Sequence, residues 1–189
     1  MDNPWLWAGA SGYSYKEWKG PFYPDELAAD DMLAWYAQRL GAVEINNTFY
    51  RNPKREVLAK WAAATPPHFR FAIKATRRIT HDGRLKADAV AEPLRYLYGS
   101  VEALGPKLGA VLFQLPPNLK KDVTRLQAFL ALLPADHRAA LGAQGGQIAV
   151  EKGNRVGCGV GLEPRHVRDA PGRLDGEAKV RRRGRGPLG

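Results

Sequence analysis

The sequence predicts an α/β fold built from consecutive parallel strand–helix units. Three observations predict it. Short apolar runs alternate with stretches whose apolar residues recur at helical spacing. Glycine or proline punctuates most of the junctions between them. The composition, 25% charged and 44% hydrophobic, is that of an ordinary globular chain rather than a disordered or collagenous one.

The first strand is expected at Trp5–Gly9, an apolar run ending in a glycine turn. A loop rich in Gly, Tyr, Ser and Pro follows, from Ala10 to Pro24. Asp25 to Leu40 carries Leu27, Met32, Leu33, Tyr36 and Leu40 at helical spacing, with four acidic residues at its positive N-terminal end and Gly41 beyond it. The second strand is expected over Ala42–Phe49. Pro53 opens a helix from Lys54 to Ala64, and Pro66-Pro67 stops it. The third strand is Phe69–Ala75. A polar loop, Thr76 to Lys86, leads to a helix near Asp88–Leu104, ended by Gly105-Pro106. The fourth strand, Leu108–Leu115, is broken by Pro116-Pro117, and Asp122–Leu133 is a fourth amphipathic helix closed by Pro134.

Four strand–helix units in succession argue a parallel sheet with right-handed crossovers. An open doubly wound sheet and a (β/α)8 barrel both satisfy that pattern, and a barrel typically needs about 250 residues, so four units are half of one. No G-x-G-x-x-G or P-loop motif supports a nucleotide-binding open sheet, and no cofactor is implied.

The composition changes near residue 140. All 18 aromatic residues precede it, whereas 12 of the 20 glycines follow it. Residues 1–140 hold 19 Lys and Arg against 14 Asp and Glu; residues 141–189 hold 10 against 5. The expected organisation is a folded unit over 1–140 and a disordered Gly/Arg-rich tail over 141–189. No run approaches the roughly 18 to 20 apolar residues of a membrane span. The N-terminus lacks the pattern of a secretory signal. A single cysteine, Cys158, excludes an internal disulfide framework, and a cytoplasmic location is expected.

Four motifs carry a resemblance. They are Ser11-Gly12-Tyr13-Ser14-Tyr15-Lys16-Glu17-Trp18-Lys19-Gly20-Pro21-Phe22-Tyr23-Pro24; Val43-Glu44-Ile45-Asn46-Asn47-Thr48-Phe49-Tyr50; Phe71-Ala72-Ile73-Lys74-Ala75 with Ile79-Thr80-His81; and Leu112-Phe113-Gln114-Leu115-Pro116-Pro117. In this order they resemble the YecE-like family, known as domain of unknown function 72, over about residues 5 to 138. The resemblance implies α/β architecture of parallel (β/α) units of a TIM-type barrel, incomplete here, with about four units. It implies no established activity. After Arg138 such a family continues into a fifth strand bearing a Glu-x-Arg-His type motif. This chain instead reads Ala139-Ala140-Leu141-Gly142-Ala143-Gln144-Gly145-Gly146, and Glu163-Pro164-Arg165-His166 comes late. The expectation is a truncated, frame-shifted copy without full activity, whose open sheet edges favour self-association.

In a parallel barrel the reactive groups come from the C-terminal strand ends and the loops after them. Glu44, Asn46 and Thr48 share one face of the second strand by alternation, Lys74 shares a face with Ala72, and Gln114 with Leu112. If those faces point inward, they line one polar mouth. Lys74 is then an electrostatic clamp and Glu44 a base or orienting acid for a small anionic ligand. An ion pair that merely neutralises the interior is the alternative. His81 is a candidate acid/base on the loop after the third strand, with Arg77 as an anion contact. Ser11 and Tyr13 are candidate substrate contacts on the aromatic loop, where Tyr15, Trp18, Phe22 and Tyr23 either stack on a ligand or plug the barrel. No H-x-H or H-E-x-x-H motif points to a metal. The Arg-rich end leaves nucleic-acid binding open as a second function, as does the barrel's fold-level likeness to endonuclease IV.

Overall fold

A computed structural model describes residues 7–143, 146–151 and 155–159. Their order is β1 (Gly9–Ser11), α1 (Met32–Ala37), β2 (Ala42–Ile45), α2 (Arg55–Ala63), β3 (Arg70–Lys74), α3 (Ala87–Val101), β4 (Leu108–Gln114), α4 (Val123–Ala131), β5 (Ala139–Ala143), β6 (Gly146–Glu151) and β7 (Arg155–Gly159). The strands form one sheet in chain order. The first five pair in parallel, whereas β6 and β7 pair antiparallel. This is the α/β class expected, a run of four βα units and a fifth strand that leaves the barrel open. Among the described residues no helix is long and apolar enough to cross a membrane.

Alternation divides the sheet into two faces. Val43, Ile45, Phe71, Ile73, Val111 and Phe113 are buried under the helices, with Leu58, Leu97, Val101 and Phe129 packed over them. The residues between them form the other face, which a closed barrel would enclose. It is only partly covered at Ala42, Glu44, Arg70, Ala72, Lys74 and Gln114.

Several boundaries differ from the sequence reading, each for a physical reason. The first strand lies at Gly9–Ser11, later than Trp5–Gly9, whose first two residues fall outside the described ones. Position 9 must be glycine there, because a Cβ would lie 1.9 Å from the Ala42 carbonyl oxygen. The helix expected from Asp25 is a 3-10 turn at Ala29–Asp31 leading into the short α1. The aromatic loop packs partly into the core, although Tyr15 stays exposed. Tyr23 is fully buried, Trp18 stacks on Tyr36, and Tyr36 meets Phe69 edge-on. Tyr36 also accepts a hydrogen bond from the Ala10 amide and donates one to the Ala42 carbonyl, tying β1 to β2. β5 runs across residue 140, and the strands β6 and β7 lie within the segment whose composition reads as tail. Ala139-Ala140-Leu141-Gly142-Ala143 has no β-branched or aromatic residue, so its strand depends on pairing with β4 rather than on propensity. The run Arg181–Arg185 and Glu163–His166 lie outside the described residues.

Candidate functional site

The register assembles the strand-end residues. Ser11 pairs with Glu44, Glu44 with Ala72, and Ala72 with Ala110. Lys74 pairs with Leu112, and Gln114 with Gly142. In-register residues of a parallel sheet share a face, so Ser11, Glu44, Lys74 and Gln114 all project from the partly open side. Glu44 and Lys74 are diagonal neighbours, with Cα atoms roughly 8 Å apart by strand spacing and rise. They stand on one face, as the alternation predicts.

Asn46 reaches the same rim by another route. β2 ends at Ile45, and Asn46 adopts helical angles (φ −89°, ψ −29°) ahead of a 3-10 turn at Asn47–Phe49. It therefore does not continue the alternation of Glu44, and neither does Thr48. Its amide nonetheless donates to the Ser11 hydroxyl. Ser11, Tyr13, Asn46 and Trp61 line a pocket of about 200 Å³ at the ends of β1 and β2. Burial and the Asp30 carboxylate push the Tyr13 phenol up, partly offset by a hydrogen bond with Trp61. Gly12, with φ of +109°, shapes this loop: the Tyr15 ring occupies the space a side chain at 12 would need, and its hydroxyl donates to the Ser11 carbonyl.

Phe49 joins the second group. The Lys74 ammonium lies 5.7 Å from the Phe49 ring centre, and the His81 ring meets the same phenyl edge-on at 4.9 Å. His81 belongs to a π-helical turn, Arg78–Asp82, where a polar loop was expected. Its Nδ1 lies 2.8 Å from the Thr80 hydroxyl. Burial lowers the His81 pKa, and the nearby Arg77, Lys74 and Arg84 cations reinforce this against the opposing Asp82 carboxylate. These effects favour the neutral imidazole over the imidazolium. Arg77 is turned to its own loop, in an exposed ion pair with Asp82 at 3.1 Å. Arg84, in the left-handed region with Leu85, bonds the side chain and carbonyl of Asn118, linking the loops after β3 and β4.

The sequence reading placed Thr48 only on the Glu44 face, and two further contributors, Trp61 and Gly142, escaped it. Thr48, 1% exposed, has its hydroxyl 2.8 Å from the Ile45 carbonyl and 2.6 Å from that of Lys74, so it ties the ends of β2 and β3. Trp61 brings α2 over the first pocket. Gly142 makes room for Gln114, whose amide would lie 2.6 Å from any Cβ there. Its register opposite Gln114 was invisible until β5 was placed. Among the described residues there is no group of three or more His, Cys, Asp or Glu able to hold a metal ion.

This arrangement sits in a fold with relatives. A family model described as a protein of unknown function, DUF72, matches residues 7–166. The chain belongs to the DUF72 family. The match runs past Arg138, where the motif resemblance stopped, and reaches Glu163–His166. The chain is 34% identical over 107 residues to the UPF0759 protein YecE of Escherichia coli strain K12, covering 55% of this chain and 38% of that protein. It is 30% identical over 106 residues to the UPF0759 protein YunF of Bacillus subtilis strain 168, covering 53% and 38%. The match thus spans well under half the length of these curated relatives. Among solved structures, a DUF72 protein of Enterococcus faecalis V583 superposes with a TM-score of 0.59 at 24% identity, covering 70% of this chain and 48% of the other. One from Thermotoga maritima MSB8 gives 0.58 at 25%, covering 72% and 55%. These likenesses show the shared α/β fold.

Proposed function

We propose that the strand-end rim binds a small anionic substrate and that this chain carries part of an acid/base site completed only by a closed sheet. Lys74 is the electrostatic clamp, Glu44 the base or orienting acid, and His81 the proton carrier, kept neutral so that it can accept. Ser11, Tyr13, Asn46 and Gln114 orient the substrate, and Arg77 joins them by exchanging Asp82 for the anion. The observation that carries the reading is the register: Ser11, Glu44, Lys74 and Gln114 rise from one face of consecutive strands. Half-buried charges there are costly unless paired or hydrogen-bonded.

The test is an NMR titration of the full chain with ribose 5-phosphate, read at the His81 ring. Binding beside Lys74 shifts the His81 signals and raises its pKa, since an anion favours imidazolium. Lys74→Ala weakens that response at least about tenfold, which is about 1.4 kcal/mol. An unshifted His81 at millimolar ligand, or a response indifferent to Lys74→Ala, rejects the reading.

The open sheet has a further consequence. β1 and β7 are its two edges among the described residues, and unpaired edges recruit other strands. Pairing of two copies is the route by which this chain closes its sheet, and sedimentation velocity across a concentration series reads it directly. A second reading, nucleic-acid binding, is favoured by the net charge of +10 and the run Arg181–Arg183 with Arg185. Replacing these four arginines by glutamine then abolishes retention of labelled DNA, with a steep salt dependence in the parent.

A further inference from the structure

A second cleft lies beside the rim and shares no residue with the site above. It is a pocket of about 390 Å³ lined by Tyr50, Arg51, Asn52 and Lys54 from the β2–α2 connection, Thr76 and Arg78 after β3, and Glu92, Pro93 and Tyr96 of α3. Three cations face one carboxylate. Among the described residues none of Arg51, Lys54 and Arg78 stands within ion-pair distance of an acid, Glu92 included. Converging cations without counter-charges repel one another, and an anion between them relieves that repulsion.

Two further features restrict what kind of anion fits. Asn52 Oδ1 is buried and has no hydrogen-bond partner, an uncommon state for an acceptor. It calls for a ligand that donates as well as accepts. Tyr50 and Tyr96 are the most exposed large hydrophobic residues of the described chain, at 78% and 58%. Both edge this cleft, where a flat ring can cover them. The volume lies in the ordinary range for small-ligand pockets, about 300–1,000 Å³.

We infer that this cleft binds a nucleoside monophosphate. The phosphate lies among Arg51, Lys54 and Arg78, the base stacks on a tyrosine ring, and a base N–H donates to Asn52. A bare phosphate leaves Asn52 and the tyrosines unused, and a free nucleoside leaves the cations unused. Arginine favours a phosphate oxygen pair through its planar fork.

Calorimetric titration of the full chain with adenosine 5′-monophosphate tests this, with inorganic phosphate and adenosine as comparison probes. The monophosphate is expected to bind at least tenfold more tightly than either. Arg51→Ala and Lys54→Ala alter exposed side chains, so the fold survives, and each lowers the affinity at least fivefold. Tyr96→Ala weakens the monophosphate and leaves inorganic phosphate unchanged. In Lys74→Ala, which removes the proposed rim clamp, the binding that depends on Arg51 and Lys54 persists, which separates this cleft from the proposed substrate site. Absence of binding at millimolar ligand overturns the assignment. So does inorganic phosphate binding as tightly, loss of binding in Lys74→Ala, or binding indifferent to Arg51→Ala and Lys54→Ala. Binding of an oligonucleotide in place of the monophosphate overturns it as well.

Discussion

Replacing Thr48 by valine and by serine separates hydrogen bonding from packing at the root of the rim. The Thr48 hydroxyl has one proton and two carbonyls in reach, Ile45 at 2.8 Å and Lys74 at 2.6 Å. Valine keeps the shape and removes the hydroxyl. That forfeits about 1 kcal/mol of net hydrogen bond and adds part of the 1–3 kcal/mol cost of a carbonyl left unsatisfied in the interior, about 2 kcal/mol together. For a chain of this size the melting temperature then falls by roughly 4–8 °C. Serine keeps the hydroxyl and loses one buried methyl, about 1 kcal/mol. Denaturant unfolding followed by tryptophan fluorescence measures both. The expected order of stability is Thr, then Ser, then Val. Packing alone predicts the opposite order of the two variants, so a valine variant as stable as the serine one, or more so, refutes the claim that this hydroxyl ties β2 to β3. The valine variant also moves the His81 midpoint, because the β3 end that carries Lys74 is released.

Further outcomes follow from the same geometry. Gly9→Ala drives a Cβ to 1.9 Å from a backbone oxygen that cannot turn aside, so β1 separates from β2. Amide exchange at Gly9–Ser11 accelerates at least tenfold, and persistence of its protection contradicts the close approach. His81 has a folded pKa below its ordinary 6.5, so its contribution to stability is present above pH 6.5 and is lost as pH falls through the lowered value. Imidazole NMR titration is expected to find its midpoint raised by Arg77→Ala and by Lys74→Ala; an unmoved midpoint in Lys74→Ala disproves their proximity across Phe49. Burial lifts the Tyr23 phenol to about 12, with Tyr36 and Tyr13 adding to it. Its contribution is therefore intact below pH 10 and lost as pH rises towards 12, and phenolate absorbance rising for all tyrosines together near pH 10 would contradict it.

What the sequence disclosed tracks how local the cause is. Glu44, Lys74 and Gln114 were legible because alternation within a strand, together with strand direction, fixes both face and end. Asn46 was placed at the rim for the wrong reason. The chain turns helical at residue 46, and its side chain returns through a partner 35 residues away, a contact no local pattern encodes. The strand at Gly9–Ser11 was missed because its residues have poor strand propensity; close approach to Ala42, a tertiary fact, selects them. β5 was missed for the same reason, and Gly142 with it. The π-helical turn at Arg78–Asp82 hid because its polar residues read as loop, although they are what aims His81 at Phe49.

The antiparallel strands bear on how the site is completed. A closing barrel would add to β5 a parallel strand, returned by a crossover helix, whose C-terminal end joins the same rim. β6 instead starts within three residues of the end of β5 and runs back along it, pairing Ala143 with Gly146 and Ala139 with Val150. Its C-terminal end therefore lies at the bottom of the sheet, where β5 begins, at the end opposite the rim. β7 reverses again and runs with β5, but it is two strands removed. So β6 and β7 occupy the edge beside β5 without adding a further βα unit to the rim. Groups that oppose Lys74 across a closed mouth are therefore not supplied by β6, and sedimentation and His81 titration belong in one experiment: if closure by a second copy completes the site, the two change together as concentration rises.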